Sequence, residues 1–260
     1  MGKNLVKGKS ILKTSDWHLR FLQQSNWTLE ARSFILNSLK LPQNPKLLEI
    51  GSGTGVILKQ MENLTGHKCV GLDINWKNIK YNKENNPNQD LLLADGHFTP
   101  LRPNSFDLVF CHYLLLWIKD PTVLLREMRR ITKIQGWICC FAEPDYIARI
   151  DFPKMVQQIG QKQNIALREQ LVRLDTGRQV ANWMRESGLI NVHWGILGSH
   201  QTLRKGSGEI QTELDVLIND LKMTYSKEEI EILLSDYSRN LINEGSISFI
   251  PTFYAYAQNA

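Results

Sequence analysis

The chain has 260 residues, 42% of them hydrophobic, which is enough for one large core or two small ones, and we expect a single domain. Its 31 lysines and arginines outnumber its 26 acidic residues and are scattered, so nucleic-acid binding is permitted but not favoured. No run reaches the roughly 20 apolar residues that cross a bilayer, and the N-terminus has no signal-peptide core. The composition therefore predicts a cytoplasmic protein without membrane attachment.

Apolar, β-rich runs alternate with helical patterns, which is typical of a parallel sheet covered by helices on both faces. Strands are predicted at 46–50, 68–74, 91–95, 105–113, 137–145, 191–197 and 252–257. Helices are predicted at 55–64, 75–86, 121–131, 153–169 and 177–187. Ser226 and Glu229 form a capping-box pair that starts a further helix. This order predicts an α/β fold of the Rossmann-like kind.

The cysteines lie in apolar runs without the spacings that metal sites or redox motifs require. They are Cys69, Cys111, Cys139 and Cys140, and buried thiols are their expected state. The alternative is a thiol relay at the adjacent Cys139 and Cys140, which is disfavoured because neighbouring strand residues face opposite sides. No Asp or Asn cluster is spaced for magnesium either, so we expect no metal.

The stretch KLLEIGSGTGV places three glycines, Gly51, Gly53 and Gly55, directly after the first predicted strand. Glycines in such a turn adopt positive φ and let a ligand approach bare backbone amides. A helix follows, and Asp73 comes 20 residues after Gly53 at the end of the second strand. A carboxylate there accepts hydrogen bonds from ribose hydroxyls, so the pattern fits any cofactor that carries a ribose.

Two details distinguish among such cofactors. The dinucleotide fingerprint has a third small residue where this chain has Val56. Glu49 stands two residues before the turn, where its charge would oppose a pyrophosphate but suits a ligand bearing an ammonium and a sulfonium. S-adenosylmethionine is such a ligand, and the loop therefore favours it over NAD.

These motifs together resemble the class I, seven-stranded S-adenosylmethionine-dependent methyltransferases, the broad group that includes ubiquinone and menaquinone biosynthesis enzymes. LLEIGSGTG, GLDIN, LLLADGHFTP and SFDLVFCHYLLLWIKDP resemble the first four motifs of that family. The resemblance implies a seven-stranded sheet, release of S-adenosylhomocysteine as product, and a reversed last strand beside the fifth. The implied cofactor-binding residues are Glu49, Gly51, Ser52, Gly53, Gly55, Asp73, Ile74, Asp95, Gly96 and Cys111.

The chain departs from the family pattern before the fifth strand. Where the family usually has Leu-Lys-Pro-Gly-Gly, this sequence has Thr132-Lys133-Ile134-Gln135-Gly136. The proline and the first glycine are missing, which affects the expected shape of that turn and not the fold.

A segment before the core, RFLQQSNWT at 20–28, resembles one that folds over the cofactor in many of these enzymes. Gln24 and Trp27 are therefore candidates for contact with the methionine end or the substrate. The alternative for Trp27 is packing of an N-terminal helix on the core.

Methyl transfer is an in-line displacement at a carbon that sulfur already activates, so the protein mainly aligns the nucleophile. If the acceptor needs a base, His112 at the end of the fourth strand is the candidate; backbone or substrate contact and a structural role are its alternatives. The candidate substrate residues at the same edge are Trp27, Tyr113, Trp117 and Tyr146, each of which could instead pack the core or a lid. Glu143 and Asp145 could hold an amine or fix a base, although solvated turn residues are the simpler interpretation.

The domain, 1–260, is expected to comprise an N-terminal helical segment (1–44), a cofactor-binding core (45–150), helical additions at 151–189 and 206–243, and last strands at 190–203 and 246–258. The additions are expected to form a lid that excludes water and suits a small-molecule acceptor. The alternatives are an RNA or protein methyltransferase, although no Asn-Pro-Pro-Tyr turn follows the fourth strand, and a non-catalytic scaffold. We expect a monomer or a homodimer.

Overall fold

The computed structural model describes residues 12–197, 209–241 and 247–260. The predicted N-terminal segment, the last strands and the second helical addition each extend into the remaining ranges, 1–11, 198–208 and 242–246. Those parts of the predictions lie outside the described residues.

The described residues form two sheets. Their strands are β1 (Leu47–Ile50), β2 (Cys69–Asp73), β3 (Leu91–Leu93), β4 (Phe106–Cys111), β5 (Thr132–Pro144), β6 (Ile150–Phe152), β7 (Ile190–Leu197), β8 (Ile247–Phe249) and β9 (Thr252–Gln258). The larger sheet has the order β3-β2-β1-β4-β5-β9-β7. Strands β1 to β5 pair in parallel, whereas β9 runs antiparallel to both β5 and β7. The seven predicted strands and the reversed last strand beside the fifth are confirmed.

Helices connect these strands and cover both faces of the sheet. They are α1 (Thr14–Trp27), α2 (Leu29–Ser38), α3 (Val56–Thr65), α4 (Trp76–Asn85), α5 (Pro121–Ile131), α6 (Lys154–Glu169), α7 (Thr176–Glu186), α8 (Glu209–Leu221) and α9 (Lys227–Leu241). Capping residues fix where two of these helices begin. Asp120, directly before Pro121, accepts hydrogen bonds from the backbone amides of Thr122 and Val123 at the start of α5. Ser226 and Glu229 form the predicted capping box at the start of α9. None of the described helices is long and apolar enough to span a bilayer.

Alternating side chains of the strands form two apolar layers, one on each face of the sheet. The layer beneath α5 and α7 contains Cys111 and Cys140, and the layer beneath α2 and α3 contains Cys69 and Cys139. All four thiols are buried and free. Adjacent Cys139 and Cys140 therefore lie on opposite faces, as the strand period predicts.

Strand β5 begins five residues earlier than predicted and includes the turn that departs from the family pattern. Gln135, at the position of the missing first glycine, adopts a φ of 63°, and its amide donates to the Asn259 carbonyl. The Asn259 side chain in turn donates to the carbonyls of Arg129 and Thr132. Contacts with the last residues of the chain thus hold a left-handed turn without glycine there.

The helical additions divide between two layers. Helices α6, α8 and α9 surround an apolar cluster of their own, formed by Val156, Ile159, Ala166, Leu217, Leu221, Ile230 and Tyr237. Helix α7 instead contributes Val180, Trp183 and Met184 to the core beneath the main sheet. The expectation that all of 151–189 belongs to a lid is corrected at this helix. The small β6–β8 sheet escaped the sequence patterns because three-residue strands carry almost no periodicity.

Candidate active site

The glycine loop is held in place at the carboxyl end of β1. The amides of Gly51 and Ser52 both donate to the Leu72 carbonyl, at 2.7 and 2.9 Å. Gly51, Gly53 and Gly55 have φ values of +75°, +53° and +85°, so each uses the left-handed region predicted for it. Gly55 is the N-cap of α3, which brings the positive end of that helix to the loop.

Asp73 connects the loop to the end of β2. Its Oδ2 accepts from the Gly53 amide at 2.7 Å, and its Oδ1 accepts from the Asn75 amide at 2.7 Å. Burial raises the pKa of this carboxyl, although those hydrogen bonds oppose the rise. Asn78 Nδ2 is a third donor, 3.5 Å from Oδ2. Because a carboxylate has about four acceptor sites, this one retains capacity for one hydroxyl donor, and for a second when the long Asn78 contact is released.

Glu49 and Ser52 present buried polar atoms beside the loop. Glu49 is 1% exposed, and among the described residues its Oε2 has no hydrogen-bond partner; the Ser52 Oγ has none either. Burial raises the pKa of Glu49 well above its ordinary value, and the nearby charge of Arg32 opposes this. Unpaired buried polar atoms next to a cradle of bare glycine amides fit a ligand that carries polar groups of its own.

Helix α1 covers this loop. The Phe21 ring lies so near Gly53 that an added Cβ would stand 3.3 Å from it, and His18 Nδ1 lies 2.8 Å from Thr54 Oγ1. Helix α1 thus lies against the glycine loop, and the prediction that the segment at 20–28 folds over the cofactor stays a prediction. Gln24 and Trp27 lie in the same helix, half-buried, and their contact with a ligand remains a prediction.

The adenine-side candidates differ in their surroundings. Asp95 is exposed and accepts from the amide and Nδ1 of His97, at 2.9 and 2.7 Å. Partial burial raises the pKa of the Asp95 carboxyl, but the two hydrogen bonds from His97 lower it by more, so the net shift is downward. A Cβ on Gly96 would stand 2.7 Å from Ile50, so this glycine is required for packing. Ile74 is 64% exposed and available to an apolar ring.

Cys111 is the last residue of β4. Its side chain is fully buried in the core layer, with Sγ 3.6 Å from Cys140 Sγ and 3.8 Å from Glu143 Oε1. The hydrogen bond with Cys140 and burial raise its pKa well above the ordinary value. Its side chain is therefore part of the core, and a contact of Cys111 with the cofactor stays a prediction that concerns its backbone.

Glu143 and Asp145 are buried anchors and not solvated turn residues. Glu143 accepts from the amides of Leu114 and Leu115 at 3.1 Å, so it fixes the loop after β4. Burial raises its pKa to about 7, although these amides oppose the shift. Asp145 binds the Arg178 side chain through both carboxylate oxygens, at 2.5 and 2.9 Å. Neither carboxylate is left free to hold an amine.

We expect Glu143 to make stability depend on pH. Its folded pKa of about 7 lies above the ordinary 4.5, so the folded state binds more protons between these values. The free energy of unfolding should therefore fall as pH rises from 4.5 to 7, by roughly 2–3 kcal/mol at most. Urea unfolding at pH 5 and pH 8 should show a smaller fall for Glu143→Gln than for the wild type. Glu84→Gln, at an exposed i,i+4 pair, is the control, and equal falls in all three proteins would contradict the prediction.

The remaining candidates lie beyond the carboxyl ends of β4 and β5. His112 Nε2 is 2.8 Å from Thr28 Oγ1, and its ring meets the Tyr113 ring edge-on at 4.7 Å. Tyr113 and Tyr146 both flank a small apolar cluster formed by Leu116, Leu167, Val172 and Leu174. Trp117 is 45% exposed at its rim. The structure thus places His112, Tyr113 and Tyr146 near one another.

Three charged residues of this region were missed by sequence reasoning. Arg20 on α1 forms an ion pair with Glu213 on α8, and its guanidinium lies 4.7 Å from the centroid of the Trp27 ring. Arg32 on α2 is fully buried beside His112. No sequence signal marks these residues, because charged side chains are rarely buried and their partners lie far away in the chain.

The described residues contain no cluster of three or more His, Cys, Asp or Glu side chains that could hold a metal ion.

The sheet order with its reversed β9, and a glycine loop tied to the acid at the end of β2, define the class I methyltransferase fold. Residues 48–140 match a family described as "Methyltransferase domain". The chain is a class I S-adenosylmethionine-dependent methyltransferase.

Sequence relatives agree with this assignment. The chain is 27% identical over 208 residues to a demethylmenaquinone methyltransferase of Corynebacterium efficiens, covering 73% of this chain and 87% of that protein. It is 32% identical over 92 residues to a malonyl-[acyl-carrier protein] O-methyltransferase of Hamiltonella defensa, covering only 35% of each. The similarity to the second protein is thus confined to about a third of the chain.

A solved structure supports the same fold. A possible histamine N-methyltransferase from Thermotoga maritima superposes with a TM-score of 0.58 at 13% identity, covering 95% of this chain and 96% of that one. At this identity the likeness concerns the fold alone.

Proposed function

We propose that this enzyme transfers a methyl group from S-adenosylmethionine to a small molecule bound between the carboxyl ends of β4 and β5 and the layer of α6, α8 and α9. The observation that carries this proposal is the ion pair of Arg20 and Glu213, which joins α8 to the helix that covers the glycine loop. An acceptor site enclosed in this way excludes water and favours a small ligand over a folded macromolecule.

The cofactor residues have separate proposed roles. Asp73 accepts from the ribose hydroxyls, Asp95 accepts from the adenine amino group, and Ile74 packs against the ring. The amides of Gly51, Ser52, Gly53 and Gly55 face the methionine part, and Glu49 supplies negative charge beneath it. When bound, S-adenosylmethionine supplies a methyl group already activated by positive sulfur. The chain's own task is to align the acceptor and keep water out.

The chemistry of the acceptor is indicated by the side chains around it. Trp27, Tyr113, Trp117 and Tyr146 offer aromatic surface, and burial raises the pKa of the Tyr113 and Tyr146 phenols, which keeps them neutral donors. An aromatic or quinol-type acceptor is compatible with such walls. The similarity to demethylmenaquinone methyltransferases makes a demethylmenaquinol analogue the first acceptor to test.

Transfer to RNA or protein is the alternative. It is supported less because the lysines and arginines are scattered along the chain and form no dense basic stripe in the sequence. A non-catalytic scaffold with the same fold is supported least, since a scaffold needs neither the glycine loop nor Asp73.

The test is formation of S-adenosylhomocysteine from S-adenosylmethionine with a reduced demethylmenaquinone analogue, other small phenols and amines, total RNA and a protein lysate as separate acceptors. Turnover with a small molecule only is the expected result. Turnover with RNA or protein only would overturn the small-molecule proposal.

A lid variant makes this assay more specific. Glu213→Gln breaks the ion pair with Arg20 and should raise the acceptor KM about 2- to 5-fold, since a partly exposed ion pair contributes up to about 1 kcal/mol. The affinity for S-adenosylhomocysteine should change little. Glu231→Gln, which removes an exposed ion pair within α9, is the matched control. An unchanged KM in Glu213→Gln would mean that α8 does not contribute to the acceptor site.

A further inference from the structure

Arg32 is an unusual residue in this fold because its side chain is completely buried. Its Nη1 donates to Thr28 Oγ1, and its Nη2 donates to the Ser25 carbonyl at 2.7 Å and to Gln60 Oε1. The Glu49 carboxylate acts electrostatically on Arg32 without forming a direct ion pair with it. The guanidinium is thus fixed in position with its charge only partly compensated.

His112 lies against this guanidinium. Its Nε2 is 2.8 Å from Thr28 Oγ1 and 3.5 Å from Arg32 Nη1. Its Nδ1 makes no hydrogen bond with any other of the described residues. The two ring nitrogens therefore have different surroundings, and the environment of Nε2 decides which of them carries the proton.

A proton on Nε2 is unfavourable in this arrangement. It would place an N–H group opposite the N–H groups of a cationic guanidinium 3.5 Å away. With Nε2 unprotonated, its lone pair faces the positive charge and accepts from the Thr28 hydroxyl, whose oxygen already accepts from Arg32. The single hydrogen of this hydroxyl then goes to Nε2, at 2.8 Å, in preference to the Gln24 carbonyl, at 3.1 Å. The chain Arg32 to Thr28 to His112 then has a donor and an acceptor at every step.

A second proton on the ring is disfavoured for the same reason. Burial lowers the pKa of His112 well below its ordinary value, and the charge of Arg32 lowers it further. The charged group that faces His112 is Arg32 on α2, and the Glu49 carboxylate on β1 acts on Arg32. Tyr113, on the other side, contacts the imidazole only through its ring. The imidazole is therefore neutral at physiological pH.

We infer that Arg32 and Thr28 are positioning residues that hold His112 as a neutral imidazole with its proton on Nδ1. His112 then serves the acceptor as a hydrogen-bond donor through Nδ1 and is not the general base. The consequence for catalysis rests on the proposed function: the acceptor molecule must present an atom with a free lone pair, such as a quinol oxygen, to the Nδ1–H group. An acceptor that must lose a proton has to release it to another group or to water.

The protonation state can be measured in the free protein, without any acceptor. Long-range 1H–15N correlation spectra of the full chain labelled at its six histidines, with His112→Gln to assign the signal, distinguish the two tautomers and the cation. We expect an unprotonated Nε2, a protonated Nδ1 and no titration of His112 between pH 5.5 and pH 8. A proton on Nε2, or a midpoint within that range, would overturn the inference.

Variants test whether Thr28 and Arg32 cause this state. Thr28→Val removes the hydroxyl at nearly constant shape and should populate the Nε2-protonated tautomer or raise the His112 midpoint. Thr132→Val is the matched control, because Thr132 is also buried and its hydroxyl, like that of Thr28, lies within hydrogen-bond distance of the carbonyl four residues earlier, but away from His112. Arg32→Lys keeps the charge and should keep the wild-type spectrum, whereas Arg32→Gln should raise the midpoint. Wild-type spectra in both Thr28→Val and Arg32→Gln would contradict the inference.

These measurements are independent of turnover. An Nδ1-protonated His112 in a protein that methylates nothing would contradict the proposed function and leave the inference intact. Turnover by a protein whose His112 titrates near pH 7 would contradict the inference and leave the proposed function intact.

Discussion

Replacing Asp73 by alanine should weaken S-adenosylhomocysteine binding by at least about 100-fold. The variant loses the two charge-assisted hydrogen bonds proposed for the ribose, each worth about 1.5–3 kcal/mol, and every 1.4 kcal/mol is about tenfold in affinity. It also removes the acceptor that holds the amides of Gly53 and Asn75, so the glycine loop loses support. Isothermal titration calorimetry of the wild type and the variant measures the effect.

The control is Asp120→Ala. Asp120 also accepts from two backbone amides, but at the start of α5, so its loss should cost about 1 kcal/mol of stability and leave binding unchanged. A titration of the wild type with NAD should give no heat. Wild-type affinity in Asp73→Ala would exclude this carboxylate from the cofactor site, and binding of NAD would contradict the cofactor assignment at the loop.

Gly55→Ala should have the largest effect on stability, about 2–5 kcal/mol. The φ of +85° costs an alanine about 1–2 kcal/mol, and its Cβ would overlap the buried side chain of Asn82, which adds about 1–3 kcal/mol of overpacking. Urea unfolding of both proteins at one pH measures the difference.

Gly66→Ala separates the two causes. Gly66 ends the same helix at a φ of +74°, but nothing lies within 4 Å of an added Cβ. It should therefore lose only the backbone contribution of about 1–2 kcal/mol. Equal losses in the two variants would mean that Asn82 moves aside without cost.

The strands and the glycine loop were predictable because their signals are local. A short apolar run fixes a strand such as β1, and a glycine at a tight turn fixes a left-handed residue, whatever the rest of the chain does. Asp73 could be assigned for a related reason, since the spacing of strand, turn and helix sets its distance from Gly53. Each of these predictions depends on neighbours within about 25 residues.

The surroundings of several side chains at the site escaped sequence reasoning for one physical reason. Cys111, Glu143 and Asp145 were interpreted from their positions at the strand ends, which locate a residue on an edge but do not reveal what surrounds its side chain. Glu143 accepts hydrogen bonds from backbone amides of the segment after β4, and Asp145 binds Arg178, 33 residues away. Such partners are selected by packing, and one sequence carries no trace of them.

The sequence by itself determined the succession of strands and helices along the chain, the loop after β1 and the acid after β2, because backbone propensity, periodicity and spacing act over short distances. Only the tertiary structure decided the burial of Arg32, its contact with His112, and the meeting of Arg20 with Glu213 from a helix almost 200 residues later. These features arise when distant segments enclose a charge and must satisfy it together. The protonation of the site depends on that enclosure, since burial and a fixed neighbouring charge shift a pKa more than any local sequence does.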